Sequence, residues 1–139
     1  VNKHDQLLLE KRKEKNILKR TYKNIVFASF FEKEVAQYLT NCRIEWVRNE
    51  KQFPVYIDGS LHYYIPDFYL PSLNLYIEVK SVFYSSIKRR KTFKAVIDNN
   101  LNWIIIYLKE WKISKKILRV KINNFKKGLK NEDTTPCSE

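Results

Sequence analysis

Apolar and polar residues alternate with a period of two on both sides of Pro71-Ser72-Leu73-Asn74, over Ile65–Leu70 and Leu75–Lys80. Such alternation marks a half-buried strand, and the Pro, Ser and Asn between the runs are turn formers. If the runs fold back about the Ser72–Leu73 bond, 70 faces 75, 68 faces 77, and Asp67 falls opposite Glu78. Side chains alternate along a strand, so one face of this hairpin carries Phe68, Leu70, Leu75, Ile77 and Val79 and belongs in a core. The other face carries Ile65, Asp67, Tyr69, Tyr76, Glu78 and Lys80.

The elements around the hairpin follow from the same patterning. Phe31, Val35, Tyr38 and Leu39 recur at helical spacing and predict a helix over Ser29–Asn41, opened by a Ser29/Glu32 capping box. Arg43–Arg48 alternates as a strand with Ile44 and Trp46 inward, and Phe53–Ile57 reads as another. Asp58-Gly59 is a hairpin turn into Leu61–Tyr64, and these strands are expected to feed the central hairpin. His62, a lone imidazole, reads as a sheet-surface residue. After Lys80, a helix is expected from about Ser85 to Asn99, capped by Ser85 or Ser86, with Phe93, Val96 and Ile97 toward the core. Trp103–Leu108 is continuously apolar, as in a strand covered on both faces. A strand–helix–strand crossover from Glu78 to Leu108 makes that pair parallel and right-handed.

The two ends are basic. Val1–Asn24 is helix-like without a sustained heptad. Its Lys11, Arg12, Lys13, Lys15, Lys19 and Arg20 lie along a polyanion, or the helix is solvated and docked by a few leucines; the pattern leaves both open. Residues 111–130 read as a short strand or helix followed by a basic helix, and Asn131–Glu139 as a frayed tail.

Composition narrows the class. At 139 residues, with 44% apolar and 14% aromatic residues, the chain is expected to form one domain with a real core. Two cysteines, Cys42 and Cys137, are too few for a disulfide framework or a four-ligand zinc site, which suits a reducing, cytoplasmic location. No apolar run reaches membrane length, and the charged N-terminus does not resemble a signal peptide. The net charge of +12 divides into +5 over 1–28, −2 over 29–80, +12 over 81–130 and −3 over 131–139. A basic wrap around a slightly acidic middle suits a polyanion held against a metal site. The bland alternative is that lysine-rich, glycine-poor composition reflects an AT-rich genome.

Asp67 opposite Glu78 is the candidate chemistry. Cβ atoms of opposed residues lie roughly 4.5–5.5 Å apart, and like charges there destabilise a sheet. At ~5 Å and an effective dielectric near 20 the repulsion is about 3 kcal/mol. A divalent cation removes the conflict, since hard ions such as Mg²⁺ take carboxylate oxygens and keep several waters. Lys80 points to the same side, beside the implied ion. Pro66-Asp67, ten residues, then Glu78-Val79-Lys80 resembles the PD-(D/E)xK nuclease signature. A preceding helix with a glutamate, apolar strands, a following basic helix and a further apolar strand fit the same family over roughly Ser29 to Leu108.

The resemblance implies an α/β fold with a restriction-endonuclease-like αβββαβ core and a central mixed four- to five-stranded sheet. Residues 29–108 would form that core, 1–28 a basic N-terminal helical extension, and 109–139 a basic C-terminal extension and tail. It implies a Mg²⁺-dependent endodeoxyribonuclease, Mn²⁺ substituting. Asp67, Glu78, Lys80 and Glu32 would be catalytic, and Asp67, Glu78, Glu32 and the Val79 carbonyl would hold metal. Glu34 competes with Glu32 for the helix acid. Lys88, Arg89, Arg90, Lys91 and Lys94, on a helix just past Lys80 with Asp98 as its one acid, would contact the DNA backbone. The expected partner is DNA, duplex or branched, with a homodimer or higher assembly if both strands are cut. Homing, junction-resolving and phage DNA-processing roles stay open, and a transposon-end nuclease, often with Gln in place of the motif's Glu, fits less well. The alternatives are a non-catalytic nucleic-acid-binding module on a nuclease fold and an acidic-protein partner using the basic surface.

Overall fold

A computed structural model describes residues 2–82 and 86–128. Helix α1 (Lys3–Lys19) begins at Asn2, whose side chain accepts from the Asp5 amide, and buries none of its residues. The leucines expected to dock it, Leu7, Leu8, Leu9 and Leu18, are all exposed. The helix stops short of Asn24 because Thr21-Tyr22 and Ile25-Val26 pair as a small hairpin, β1 (Thr21–Tyr22) and β2 (Ile25–Val26). Lys23 and Asn24 take positive φ at its turn.

Helix α2 (Phe30–Asn41) is the helix that the capping box and apolar stripe predict. Ser29 accepts from the Glu32 amide at 3.1 Å, and Phe31, Val35, Tyr38 and Leu39 are buried. The alternation at Arg43–Arg48 holds as far as burial of Cys42 and Ile44. Only Val47–Arg48 pairs, as β3, with Val47 opposite Tyr69. Strands β4 (Phe53–Ile57) and β5 (Ser60–Tyr64) close through Asp58-Gly59, both at positive φ as a two-residue hairpin turn requires. This hairpin forms a separate two-stranded sheet and does not widen the central one. His62 is exposed on it.

The central hairpin has the register that the alternation predicts. Strands β6 (Phe68–Leu70) and β7 (Leu75–Lys80) pair Phe68 with Ile77 and Leu70 with Leu75. A 3-10 turn over Pro71–Leu73 joins them, closed by Asn74 in the left-handed region. Helix α3 (Ser86–Asp98) then leads to β8 (Trp103–Tyr107), which pairs parallel to β7 with Glu78 beside Ile105. Ser86 is the first helical residue, and Ser85 lies outside the described residues. The result is a mixed four-stranded sheet in the order β3-β6-β7-β8. Strand β8 is its edge, which is why Ile106 alone in that strand is fully buried.

Two layers cover the sheet. Phe68, Leu70, Leu75, Ile77, Val79 and Ile106 form one buried core with α2 and with Leu118 and Ile122 of α4 (Trp111–Gly128). A 3-10 turn over Leu108–Glu110 runs straight into α4, so residues 111–128 are one continuous helix and hold no strand. Trp111 packs edge-on against Phe31 and Tyr38, and Lys126 donates to the Cys42 carbonyl at the end of α2. On the other face a smaller cluster joins Val55, Tyr64 and Ala95, with Val96, Leu101 and Trp103 against it. Helix α3 meets the expected orientation in part. Thr92 and Ala95 are buried, Val96 packs on the cluster and Phe93 stands edge-on against Trp103, whereas Ile97 is exposed. Among the described residues no helix is long and apolar enough to cross a membrane.

Ile77, wholly buried at the centre of the sheet, and Leu8, exposed on α1, separate these environments. Ile77→Ala is expected to cost about 2–5 kcal/mol in urea unfolding, and Leu8→Ser to stay within about 0.5 kcal/mol of wild type.

Candidate active site

Beyond the last ladder pair of β6 and β7 the register carries Asp67 across from Glu78. Both side chains lie on the sheet face opposite the main core, near enough that the charge of Glu78 acts on the Asp67 carboxyl. Asp67 is held from three directions. Its Oδ2 accepts from the Val79 amide at 2.7 Å. Its own carbonyl accepts from the Asn49 amide at 3.0 Å, and the Asn49 side chain donates to the Pro66 carbonyl at 2.9 Å. No pattern in the sequence announces Asn49, whose work is done through backbone atoms.

The proline of the motif has a physical role as well. Extending the register sets Pro66 across from Val79, and proline has no amide hydrogen to offer. The N–H and C=O of one strand residue point to the same side, so the Val79 carbonyl is directed toward Asp67 as its amide is. Its side chain lies in the core.

Glu32, 9% exposed, arrives from the first turn of α2, where its amide donates to Ser29, and its carboxyl lies near enough to Asp67 for the two charges to act on each other. Helix capping and approach to the site therefore coexist at one residue. Glu34, two positions on, makes no such approach to Asp67. Glu78 is 4% exposed, and Lys80 Nζ stands 3.9 Å from its Oε2. Tyr64, at the end of β5, accepts from Trp103 Nε1 at 2.8 Å and lies close enough to Glu78 to feel its charge. Trp103 and Tyr64 thus tie the hairpin to β8 beside the acid, and pairing between separated strands is what hides this from sequence.

An open cleft of about 360 Å³ exposes this cluster, lined by Asp67, Glu78 and Lys80, by Tyr63, Tyr64 and Ile65, and by Lys88, Lys91 and Thr92 of α3. The five expected DNA-contacting cations therefore divide. Lys88 and Lys91 face the cleft; Arg90 instead pairs with Asp58 at 3.0 Å, Lys94 pairs with Asp98, and Arg89 is exposed outside it.

Burial first, then the hydrogen bond and charge of Glu78, push the Asp67 carboxyl up to about 8, against the pull of the Val79 amide and Lys80. Burial, followed by the charge of Asp67, pushes Glu32 up to about 7. Burial and the charge of Glu78 push the Tyr64 hydroxyl up. The acids thus hold protons near neutral pH, in the position a cation would neutralise. Among the described residues no group of three or more His, Cys, Asp or Glu converges as a metal cage. The donors present are two carboxylates and a backbone carbonyl, with Glu32 one step behind Asp67. This sparse, all-oxygen set fits Mg²⁺, which binds through one or two carboxylates and keeps its waters.

Asp67 and Glu32 bind protons more tightly folded than unfolded. Their stabilisation is complete below their unfolded values of 3.8 and 4.5 and is lost as pH rises through about 7 and 8. In chelator, Asp67→Asn is therefore expected to melt above wild type by a margin that widens from about pH 5 to about pH 8.5, and Mg²⁺ to raise the wild-type Tm most at the upper end. A margin constant with pH would contradict a buried, protonated Asp67.

No protein-family model and no curated protein matches the chain, so the assignment of an activity rests on this geometry.

Proposed function

We propose that the protein is a metal-dependent DNA endonuclease of the PD-(D/E)xK type. The observation that carries this reading is Asp67 set across from Glu78, with Lys80 beside them, in a cleft lined also by Lys88 and Lys91. The topology supports it. With the β4–β5 hairpin taken as an insertion, α2, β3, β6, β7, α3 and β8 follow the αβββαβ order of restriction-endonuclease-like folds.

Each residue then has a task. Asp67 and Glu78 would hold Mg²⁺ or Mn²⁺ with the Val79 carbonyl, and Glu32 would take a second ion or a water. When bound, such an ion supplies charge neutralisation on the phosphoryl group and a more acidic water. The Val79 amide and Asn49 fix Asp67 in place, and Tyr64, itself held by Trp103, lies beside Glu78. Lys80 orients or helps deprotonate the attacking water, or balances the negative charge that builds on phosphate. Lys88 and Lys91 hold flanking phosphates against the cleft, which reduces the mobility of the scissile group before reaction.

Asp67→Ala and Glu78→Ala are each expected to abolish Mg²⁺-dependent cleavage of plasmid DNA while retaining gel-shift binding. Normal cutting by either variant in a clean preparation overturns the assignment. Binding without cleavage by wild type across a Mg²⁺ and Mn²⁺ series would leave the non-catalytic module. Tyr64→Phe, which removes the hydroxyl that lies beside Glu78, is expected to lower activity or metal affinity about 10- to 100-fold with the melt retained.

A further inference from the structure

The β4–β5 hairpin is set apart from the central sheet, and its two faces differ. Phe53, Val55 and Tyr64 turn inward, Phe53 packing edge-on against Tyr76 and Val55 lying in the cluster with Ala95 of α3. The ladder puts Tyr56 opposite Leu61 and Pro54 opposite Tyr63 on the outer face. Among the described residues nothing covers that face: Tyr56 is 61% exposed, Tyr63 50%, Leu61 45%, and the following Ile65 47%. From Phe53 to Pro66, Asp58 is the single residue among Asp, Glu, Lys and Arg, and it is tied to Arg90. A chain with 30% charged residues would place about four in those fourteen positions. The bareness is therefore local to this hairpin.

The patch runs into the site. Tyr63 and Ile65 line the same cleft as Asp67, Glu78, Lys80, Lys88 and Lys91, so one ligand lying in the cleft meets carboxylates, ammonium groups and an aromatic ledge together. An intact duplex offers such a wall its phosphates and sugars, which are poor partners for exposed Tyr, Leu and Ile. The flat faces of bases match them, and those are available only where the strand is unpaired. The phosphates of the same strand match Lys88 and Lys91 across the cleft.

We propose that the outer face of the β4–β5 hairpin is a base-stacking ledge, with Tyr63 as its anchor, that selects DNA with unpaired nucleotides beside the scissile phosphate over continuous duplex. The inference rests on the nuclease reading for where the reacting strand lies. Arg90–Asp58 fastens the hairpin turn to the cationic helix, which keeps ledge and phosphate-binding wall in fixed relation.

The test is binding of the full chain, in chelator and at fixed salt, to a short duplex and to the same duplex with a central mismatched bubble containing 2-aminopurine. Expected are roughly tenfold tighter binding of the bubble and quenching of the fluorophore by stacking. Tyr63→Ala should lose about tenfold on the bubble with duplex affinity unchanged, and Tyr63→Phe should keep the wild-type preference. Tyr63 is half exposed, so both variants should retain the wild-type melt. Equal affinity for the two probes overturns the proposal, as does Tyr63→Ala weakening both alike or Tyr63→Phe behaving as Tyr63→Ala. Preference for the bubble without any cleavage in Mg²⁺ would support the ledge and count against the nuclease. Cleavage in Mg²⁺ with equal affinity for both probes would do the reverse.

Discussion

Everything in the site depends on two acids being held face to face against their own repulsion. Residues left free to choose would separate a buried Asp and Glu, or replace one. Here the hairpin cannot relax, because its register is fixed from the other side of the sheet. Phe68, Leu70, Leu75, Ile77 and Val79 fill the main core, and a slip of one residue would turn every one of them out to solvent. The apolar face thus does the positioning, and the polar face bears the strain as raised proton affinity at Asp67. Local bonds sharpen the placement, with the Val79 amide and Asn49 on Asp67 and the Trp103–Tyr64 pair beside Glu78.

The surrounding layers leave the acids open to a cleft. Helices α2 and α4 close the core face, and the first turn of α2 delivers Glu32 to the end of β6, where it meets Asp67. Helix α3 and the β4–β5 hairpin occupy the opposite face and leave a cleft between them and the sheet. The cleft walls differ in chemistry, with ammonium groups from α3 on one side and tyrosine and isoleucine from the hairpin on the other. A strand of nucleic acid has the matching division, phosphates along one edge and bases along the other.

What could be read from sequence was whatever depends on local period. The hairpin register, the capping box at Ser29, the Asp58-Gly59 turn and the parallel pairing of β7 and β8 all follow from alternation, turn chemistry or handedness. What escaped depends on neighbours distant in the chain. Helix α3 carries Ile97 at plausible core spacing, yet Ala95 and Thr92 are its buried residues and Ile97 lies outside, because a short hairpin and not a broad sheet is its partner. The β4–β5 pair stands apart from the main sheet, and alternation records a strand without recording what lies at its edge. Asn49 and Trp103 act through a carbonyl and a phenol, contacts that leave no periodic trace. The cations of α3 looked equivalent in sequence. Only the fold shows that Lys88 and Lys91 reach the cleft while Arg90 serves the hairpin turn.

The proposed function requires that a divalent ion displace the proton that burial holds on Asp67. Calorimetric titration of Mn²⁺ into the protein at neutral pH, repeated in buffers of different ionisation enthalpy, measures this exchange directly. The account predicts that saturation releases about one proton per chain, and that Asp67→Asn abolishes both the release and tight binding. Binding with no proton released, or binding unaffected by Asp67→Asn, would contradict it.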